Sequence, residues 1–304
     1  MSKYVFEARN IMKKYRQTVA LDNVSMQVQE GDIYGFIGEN GAGKTTMIRL
    51  LTGLAKPTQG EIFLFDRQNK DLQRERKKIG GIVESPALYL DMTAIENLKV
   101  QMLQKGITDF KRAKYLLDMV GLPMTGKKKV KDFSLGMRQR LALAIALVDE
   151  PKFLVLDEPT NGLDPTGIVE IRNLLKRLNV EKGITILIST HILSELNMLA
   201  TSYGILQKGK LLCQMTANEL NQASEKYIKI KVSNLTQAMQ VLTSEFKNIH
   251  IECLESNTIN IYDNLQKIGK ISTLLFENGI EVLNIENVTD NLETYYEKLI
   301  KGGQ

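Results

Sequence analysis

The chain has 304 residues, 43% hydrophobic and 25% charged, the composition of an ordinary folded protein with room for one large domain or a large and a small one. Its 40 basic and 35 acidic residues leave a formal charge of +5, too mild to argue for nucleic acid and sufficient only for a weak preference for phosphates or anionic lipid. Two cysteines without metal or redox spacing, no signal peptide, and no apolar run longer than "LALAIALV" (141–148) predict a reduced, cytosolic chain that does not itself cross a membrane.

The first informative stretch, "DIYGFIGENGAGKTTMIRLLTGL" (32–54), predicts a buried strand, a glycine-rich turn and an amphipathic helix. Within it "GENGAGKT" (38–45) fits the pattern G-x-x-x-x-G-K-[ST]. Glycines there let successive backbone N–H groups face one phosphate chain, and the helix N-terminus adds its partial positive charge. Lys44 would reach the β- and γ-phosphates of a nucleotide, and Thr45 would supply its hydroxyl to Mg²⁺.

Farther along, Thr93 and Glu96 form a capping-box pattern that predicts a helix over about 94–104. A second helix is expected over about 108–120, closed by Gly121 and followed by Pro123. The basic run "GKKKVK" (126–131) reads as a solvated loop. It leads into "DFSLGMRQR" (132–140), a helix start in which Ser134 can cap, Gly136 allows close approach of a ligand, and Arg138 and Arg140 follow within about one turn. This is a second place suited to an anion, with no lysine of its own to hold a nucleotide.

The segment "PKFLVLDEPTNGLDPTG" (151–167) places Asp157 and Glu158 at the end of an apolar strand. A parallel strand delivers its C-terminal residue to the crevice beside the phosphates, so Asp157 is expected to hold Mg²⁺ through water and Glu158 to polarise the attacking water. "LDPTG" opens another helix, with Asp164 as cap and Pro165 at the first helical position. His191 follows the apolar strand "ITILI" (184–188), where its ring could donate to a γ-phosphate or be structural. Beyond about residue 220 the motifs stop. The remainder predicts strands at 227–232, 249–254, 258–262 and 280–288, with helices at 236–246, 265–278 and 291–302. The βαββαβ order is the ferredoxin-like pattern, and His250 and Cys253 read as ordinary strand residues.

Together these segments resemble the ATP-binding subunit of an ABC transporter, over roughly residues 4–220. "GENGAGKT" matches the family's Walker A loop, "FLVLDE" its Walker B strand, "NGLD" (161–164) its D-loop, and His191 its switch histidine. The fold so implied is α/β: a P-loop NTPase of the ABC ATPase type over 1–220, with a helical subdomain inserted at about 86–150, and a small α+β accessory domain over 221–304. The resemblance implies an ATP site made by Tyr15, Gly38, Asn40, Gly41, Ala42, Gly43, Lys44, Thr45 and Thr46, with catalysis by Glu158 and His191. Tyr15 would stack on adenine, although by position alone it reads equally as a strand residue.

"FSLGM" (133–137) aligns with the family's LSGGQ signature, which completes the nucleotide site of another copy of the subunit. The second anion site therefore needs no lysine: Ser134 and Gly136 would serve ATP held by the partner's P-loop in an ATP-dependent homodimer. Leu135 and Met137 replace a glycine and the glutamine of the common signature, while Ser134 and Gly136 keep the hydroxyl and the close approach. Glu84 stands at the usual Q-loop glutamine, so the metal set becomes Thr45, Glu84 and Asp157, with one more negative charge beside the phosphates. "ESPALY" and "FSLGMRQRL" look most like the subunits that serve bacitracin and lantibiotic exporters.

The function so implied is an ATPase on the inner face of the membrane that powers export through a separate integral permease, with no nucleic-acid partner. A soluble ABC-type ATPase acting on nucleic acid or ribosomes usually has two cassettes or a long coiled-coil insertion, and the sequence has one cassette and no sustained heptads. A non-hydrolysing sensor is disfavoured because Lys44, Asp157, Glu158 and His191 are all present.

Overall fold

A computed structural model of the chain describes residues 4–84, 87–123, 125–224, 226–246, 249–254, 256–262, 268–289 and 292–302. The chain divides into two compact units, Met1–Ala217 and Asn218–Gln304.

The first unit opens with β1 (Tyr4–Tyr15), β2 (Thr18–Gln29), β3 (Ile33–Ile37), α1 (Lys44–Thr52), β4 (Gln59–Leu64), α2 (Leu72–Arg76) and β5 (Ile79–Ile82). Three helices follow, α3 (Ala94–Gln104), α4 (Lys111–Met119) and α5 (Leu135–Ala146). The unit ends with β6 (Phe153–Asp157), α6 (Pro165–Lys182), β7 (Thr185–Thr190), α7 (Leu193–Asn197), β8 (Ser202–Gln207) and β9 (Lys210–Thr216). One sheet is antiparallel, in the order β2-β1-β4, and the other runs β5-β6-β7-β3-β8-β9, parallel except for β9.

Every residue of β3, β6 and β7 is buried, which is why these strands read as continuous apolar runs rather than as alternating ones. Met47, Ile48, Leu50 and Leu51 of α1 pack in one core with Phe6, Leu21 and Val24 of the antiparallel sheet and Phe36 of the parallel one. Each such side chain contributes about 1.5–3 kcal/mol by burial. Packing, rather than helix propensity, fixes α1 at the end of β3.

The helix signals hold at three starts. Thr93 and Glu96 form the capping box of α3, Ser134 caps α5, and Asp164 caps α6 with Pro165 at its first position. α4 starts at Lys111, not near 108, because Asp109 accepts a hydrogen bond from the Lys111 N–H and Phe110 N–H donates to Thr108 O, a local turn that competes with the helix.

The helix α8 (Ala217–Ala223) starts at the last residue of the first unit, and the second unit goes on with β10 (Lys226–Val232), α9 (Leu235–Glu245), β11 (Ile251–Leu254), β12 (Thr258–Ile261), α10 (Ile268–Glu277), β13 (Val282–Thr289) and α11 (Leu292–Gly302). Its antiparallel sheet has the order β11-β12-β10-β13, with the first and last strands of the βαββαβ run adjacent, as a ferredoxin-like sheet requires. Residues 265–267 and 291, at the starts of two expected helices, lie outside the described residues.

Candidate active site

The buried strand β3 delivers residues 38–43 to the crevice at the C-terminal end of the parallel sheet. Backbone crowding shapes the loop. A Cβ on Gly38 would lie 2.4 Å from Leu206 O, and one on Gly43, at φ 111, would lie 2.6 Å from Ala20 O. The turn between β8 and β9 clamps it from outside: Gly209 N–H donates to Ala42 O at 2.9 Å, and Asp22 N–H donates to Gly209 O at 2.8 Å. Asn40 and Gly41 are exposed, Ala42 is buried, and Thr46 is half-buried. Gly43 caps α1 without a side chain and no acidic residue stands in the first turn, which suits that helix end to an anion. Lys44 is 6% exposed, and its Nζ donates to Gly38 O at 2.6 Å and Glu39 O at 3.2 Å.

Asp157 is the last residue of β6, 5% exposed, and its two oxygens accept from two different elements, α1 and β7. Thr45 Oγ1 donates to Oδ2 at 2.8 Å, and Ser189 Oγ donates to Oδ1 at 2.5 Å. Glu158, one residue beyond the strand, takes a left-handed conformation at φ 49, so its side chain leaves the strand's alternation. His191 Nδ1 lies 2.8 Å from Glu158 Oε2, within hydrogen-bonding distance of the carboxylate. Glu158 Oε1 is buried without a hydrogen bond, 3.5 Å from Lys44 Nζ. The ends of β3, β6 and β7 thus gather a lysine, two carboxylates, two hydroxyls and an imidazole.

Ser189 is the residue the sequence did not single out. It pairs in register with Asp157, holds that carboxylate, and its carbonyl and hydroxyl both accept from Glu158 N–H at 3.1 Å. The hint was its place in "STH" at a strand end, but which carboxylate it meets depends on strand register.

The donor set fits Mg²⁺. A threonine hydroxyl and a carboxylate oxygen 2.8 Å apart are hard oxygen ligands, and Mg²⁺ keeps waters and phosphate oxygens in its remaining positions. Among the described residues no group of three or more His, Cys, Asp or Glu side chains gathers to hold a metal, so an all-protein cage is absent there.

Glu84 is in a left-handed conformation at φ 62 and its carboxylate pairs with Arg49, one turn along α1 from Thr45, rather than with Thr45 or Asp157. Ser85 and Pro86 of "ESPALY" lie outside the described residues. Tyr15 ends β1 with 40% of its surface exposed, and Lys13 Nζ stands 4.6 Å from its ring centroid.

Ser134 Oγ caps α5 by accepting from Met137 N–H at 3.2 Å. Together with Gly136, it opens on a groove of about 610 Å³ shared with Gly162, Leu163 and Thr166. Leu135 leans on the D-loop: a Cβ on Gly162 would come within 2.9 Å of its Cδ2. Arg138 and Arg140 are already engaged within the chain, Arg138 with Lys131 O at 2.8 Å and Arg140 with Glu170 and Gly121 O. The anion-binding feature of this helix is therefore its N-terminus and Ser134, not the two arginines.

Residues 21–161 match the ABC transporter family, a span that contains Lys44, Ser134, Asp157 and Glu158 but not Tyr15 or His191. The chain is 42% identical over 300 residues, 98% of either chain, to the bacitracin transport ATP-binding protein of Bacillus licheniformis. It is 43% identical over 210 residues, 69% of this chain and 90% of the relative, to the lantibiotic transport ATP-binding protein of Streptococcus pyogenes. A dimeric, post-hydrolysis structure of the ATP-binding cassette MJ0796 bound to ADP and Pi superposes with a TM-score of 0.64 at 29% identity, over 70% of this chain and 98% of that one.

Proposed function

Since the chain belongs to the ABC transporter family as an ATP-binding, ATP-hydrolysing subunit, we propose that it drives a separate membrane permease exporting a peptide antibiotic of the bacitracin or lantibiotic class. The observation that carries the chemistry is the convergence of Thr45 on Asp157 and of His191 on Glu158 beside Lys44. Support for the transport role is the similarity to subunits named for bacitracin and lantibiotic transport, together with the absence, among the described residues, of any helix long and apolar enough to cross a membrane.

In this reading residues 38–46 wrap the phosphate chain, Lys44 exchanges its two carbonyl partners for β- and γ-phosphate oxygens, and Tyr15 stacks on the base. Thr45, and Asp157 through water, would hold Mg²⁺, which when bound would supply charge neutralisation across the phosphates. Glu158 polarises the attacking water and takes its proton as the bond to the leaving ADP breaks. His191, oriented by its Nδ1 contact, faces the transferred phosphoryl group with Nε2. Ser189 fixes Asp157 and the Glu158 backbone at once, so both carboxylates move as one body.

Ser134 and Gly136 complete the nucleotide site of a second copy, so ATP closes a homodimer and hydrolysis opens it. The 221–304 region is an accessory domain, and the chain works on the inner face of the membrane through its permease. The rival function, an ATPase of nucleic acid or ribosomes, has no support in the comparisons. The test is an affinity pull-down of the tagged chain from detergent-solubilised membranes, with ATPase assays on the product. Recovery of an integral protein that stimulates hydrolysis supports transport; stimulation by RNA alone would replace it with the rival.

A further inference from the structure

Glu84 follows β5, which pairs in parallel with β6 up to Ile82 beside Leu156, so it leaves the sheet at the same edge as Asp157 and Glu158, where a further carboxylate would face a triphosphate. Its conformation, at φ 62, aims it at α1, where it forms an ion pair with Arg49. Arg49 lies four residues after Thr45, so both side chains rise from one stripe of the helix. Thr45 meets Asp157 from that stripe, and Arg49 meets Glu84. The other strong cation of the site, Lys44, is committed to the loop carbonyls and to Glu158. Arg49 is consequently the cation that faces the Glu84 carboxylate.

We propose that Arg49 is a positioning residue whose role is to offset and orient Glu84, making a glutamate acceptable at the position where a neutral glutamine is usual, so that the nucleotide phosphates bind without repulsion from a third carboxylate. This rests on the reading of Lys44, Thr45 and Asp157 as the nucleotide and metal site. The pair is well exposed, at 39% for Arg49 and 55% for Glu84, so its contribution to stability is small. Its effect on a nearby polyanion is larger, because an unpaired carboxylate acts on every phosphate oxygen within a Debye length. A guanidinium suits this task because it stays charged under all working conditions and holds a carboxylate oxygen directionally.

The relation is conditional, and that makes it testable: Arg49 matters to nucleotide binding only while position 84 is charged. The full-length wild type, Arg49→Gln, Glu84→Gln and the double variant are titrated with a fluorescent ATP analogue at fixed Mg²⁺ and, separately, with Mg²⁺ at fixed analogue. Arg49→Gln is expected to weaken nucleotide binding about tenfold at low ionic strength, with the loss shrinking as salt rises. Adding Glu84→Gln to Arg49→Gln restores affinity to within about twofold of the wild type, because both charges are then gone. If Arg49→Gln costs the same affinity with and without the Glu84→Gln change, the proposal is overturned, since Arg49 would then act on the phosphates or the fold directly. Unchanged binding in Arg49→Gln would overturn it as well. Circular dichroism and thermal melts of each variant separate misfolding from weak binding. Lys44→Ala runs alongside: if it too binds normally, the nucleotide site itself has been misread, whereas its loss with a flat Arg49–Glu84 cycle rejects only this inference.

Discussion

His191 reaches Glu158 across the gap between β7 and β6, its Nδ1 2.8 Å from Oε2, and this contact sets where both side chains stand. If they act as a unit, their substitutions should not add. Glu158→Gln is expected to slow hydrolysis by roughly 10²–10⁴-fold, the usual worth of a positioned base, while ATP binding is kept. His191→Ala is expected to fall in the same range, and the double variant to be no slower than the worse single. Single-turnover hydrolysis together with binding of a fluorescent ATP analogue measures both. Multiplying rate losses would show that the two residues work independently.

The loop that holds the phosphates is predicted to be intolerant at one glycine and forgiving at another. Gly43→Ala places a Cβ within 2.6 Å of Ala20 O and 2.9 Å of Leu21 Cδ2 at φ 111. The strain, about 1–3 kcal/mol, has to be relieved by moving the start of α1, so nucleotide affinity should fall at least tenfold and the melting temperature by several degrees. Gly41→Ala, at φ 82 with nothing within 4 Å of its Cβ, keeps the path of the loop and should lose only the backbone cost of a left-handed L-residue, about 1–2 kcal/mol, with nucleotide affinity falling less than in Gly43→Ala. Comparable losses in both variants would mean that flexibility, rather than the contact with Ala20, is what Gly43 provides.

Cys213, on β9, has its thiol pushed up to about 11 by burial. At pH 8 it is therefore about a hundredfold poorer in thiolate than a thiol at its usual value near 9, because the neutral form is favoured until the pH passes the raised pKa. Cys253 is exposed on β11. Iodoacetamide at pH 8 should label Cys253 first and Cys213 in a separate slow phase that quickens tenfold per pH unit up to about pH 11. Peptide mass spectrometry over a time course distinguishes them, and one common rate would show that the β9 region opens readily.

The parts of this site visible in the sequence are those written in consecutive residues. Residues 38–45 announce a phosphate loop because the glycine spacing, the lysine and the flanking strand and helix are all local, and Asp157 and Glu158 are marked by the apolar strand before them. Helix caps at Thr93, Ser134 and Asp164 are local too. What stayed hidden depends on juxtaposition. Ser189 matters through the register of β7 against β6, and Arg49 through the approach of the chain after β5 to α1. The arginines after Ser134 looked available to an anion, but their partners, Lys131 O, Gly121 O and Glu170, come from other segments of the chain. Local spacing says where a charge is, and only the fold says what has already claimed it.

The groove beside Ser134 gives the last prediction. It is lined by Ser134, Gly136 and the D-loop residues Gly162 and Leu163, and it contains no lysine, whereas Lys44 lies buried in the loop after β3. If each nucleotide is shared, a composite site takes Lys44 from one chain and Ser134 from the other. Lys44→Ala alone should be inactive for want of phosphate binding. Ser134→Arg alone should be inactive because the cap is lost and the side chain blocks closure. Mixing the two variants puts both defects into one site of the heterodimer and leaves the other wild type. Hydrolysis by the mixture is therefore expected to recover in part, up to the fraction of heterodimer present, and ATP-dependent association by sizing or cross-linking should recover with it. A cis arrangement would leave every chain with its own defect and the mixture dead. The association assay guards against hydrolysis that needs two intact sites, and thermal melts confirm that both chains are folded. If neither activity nor ATP-dependent association returns, Ser134 does not work in trans.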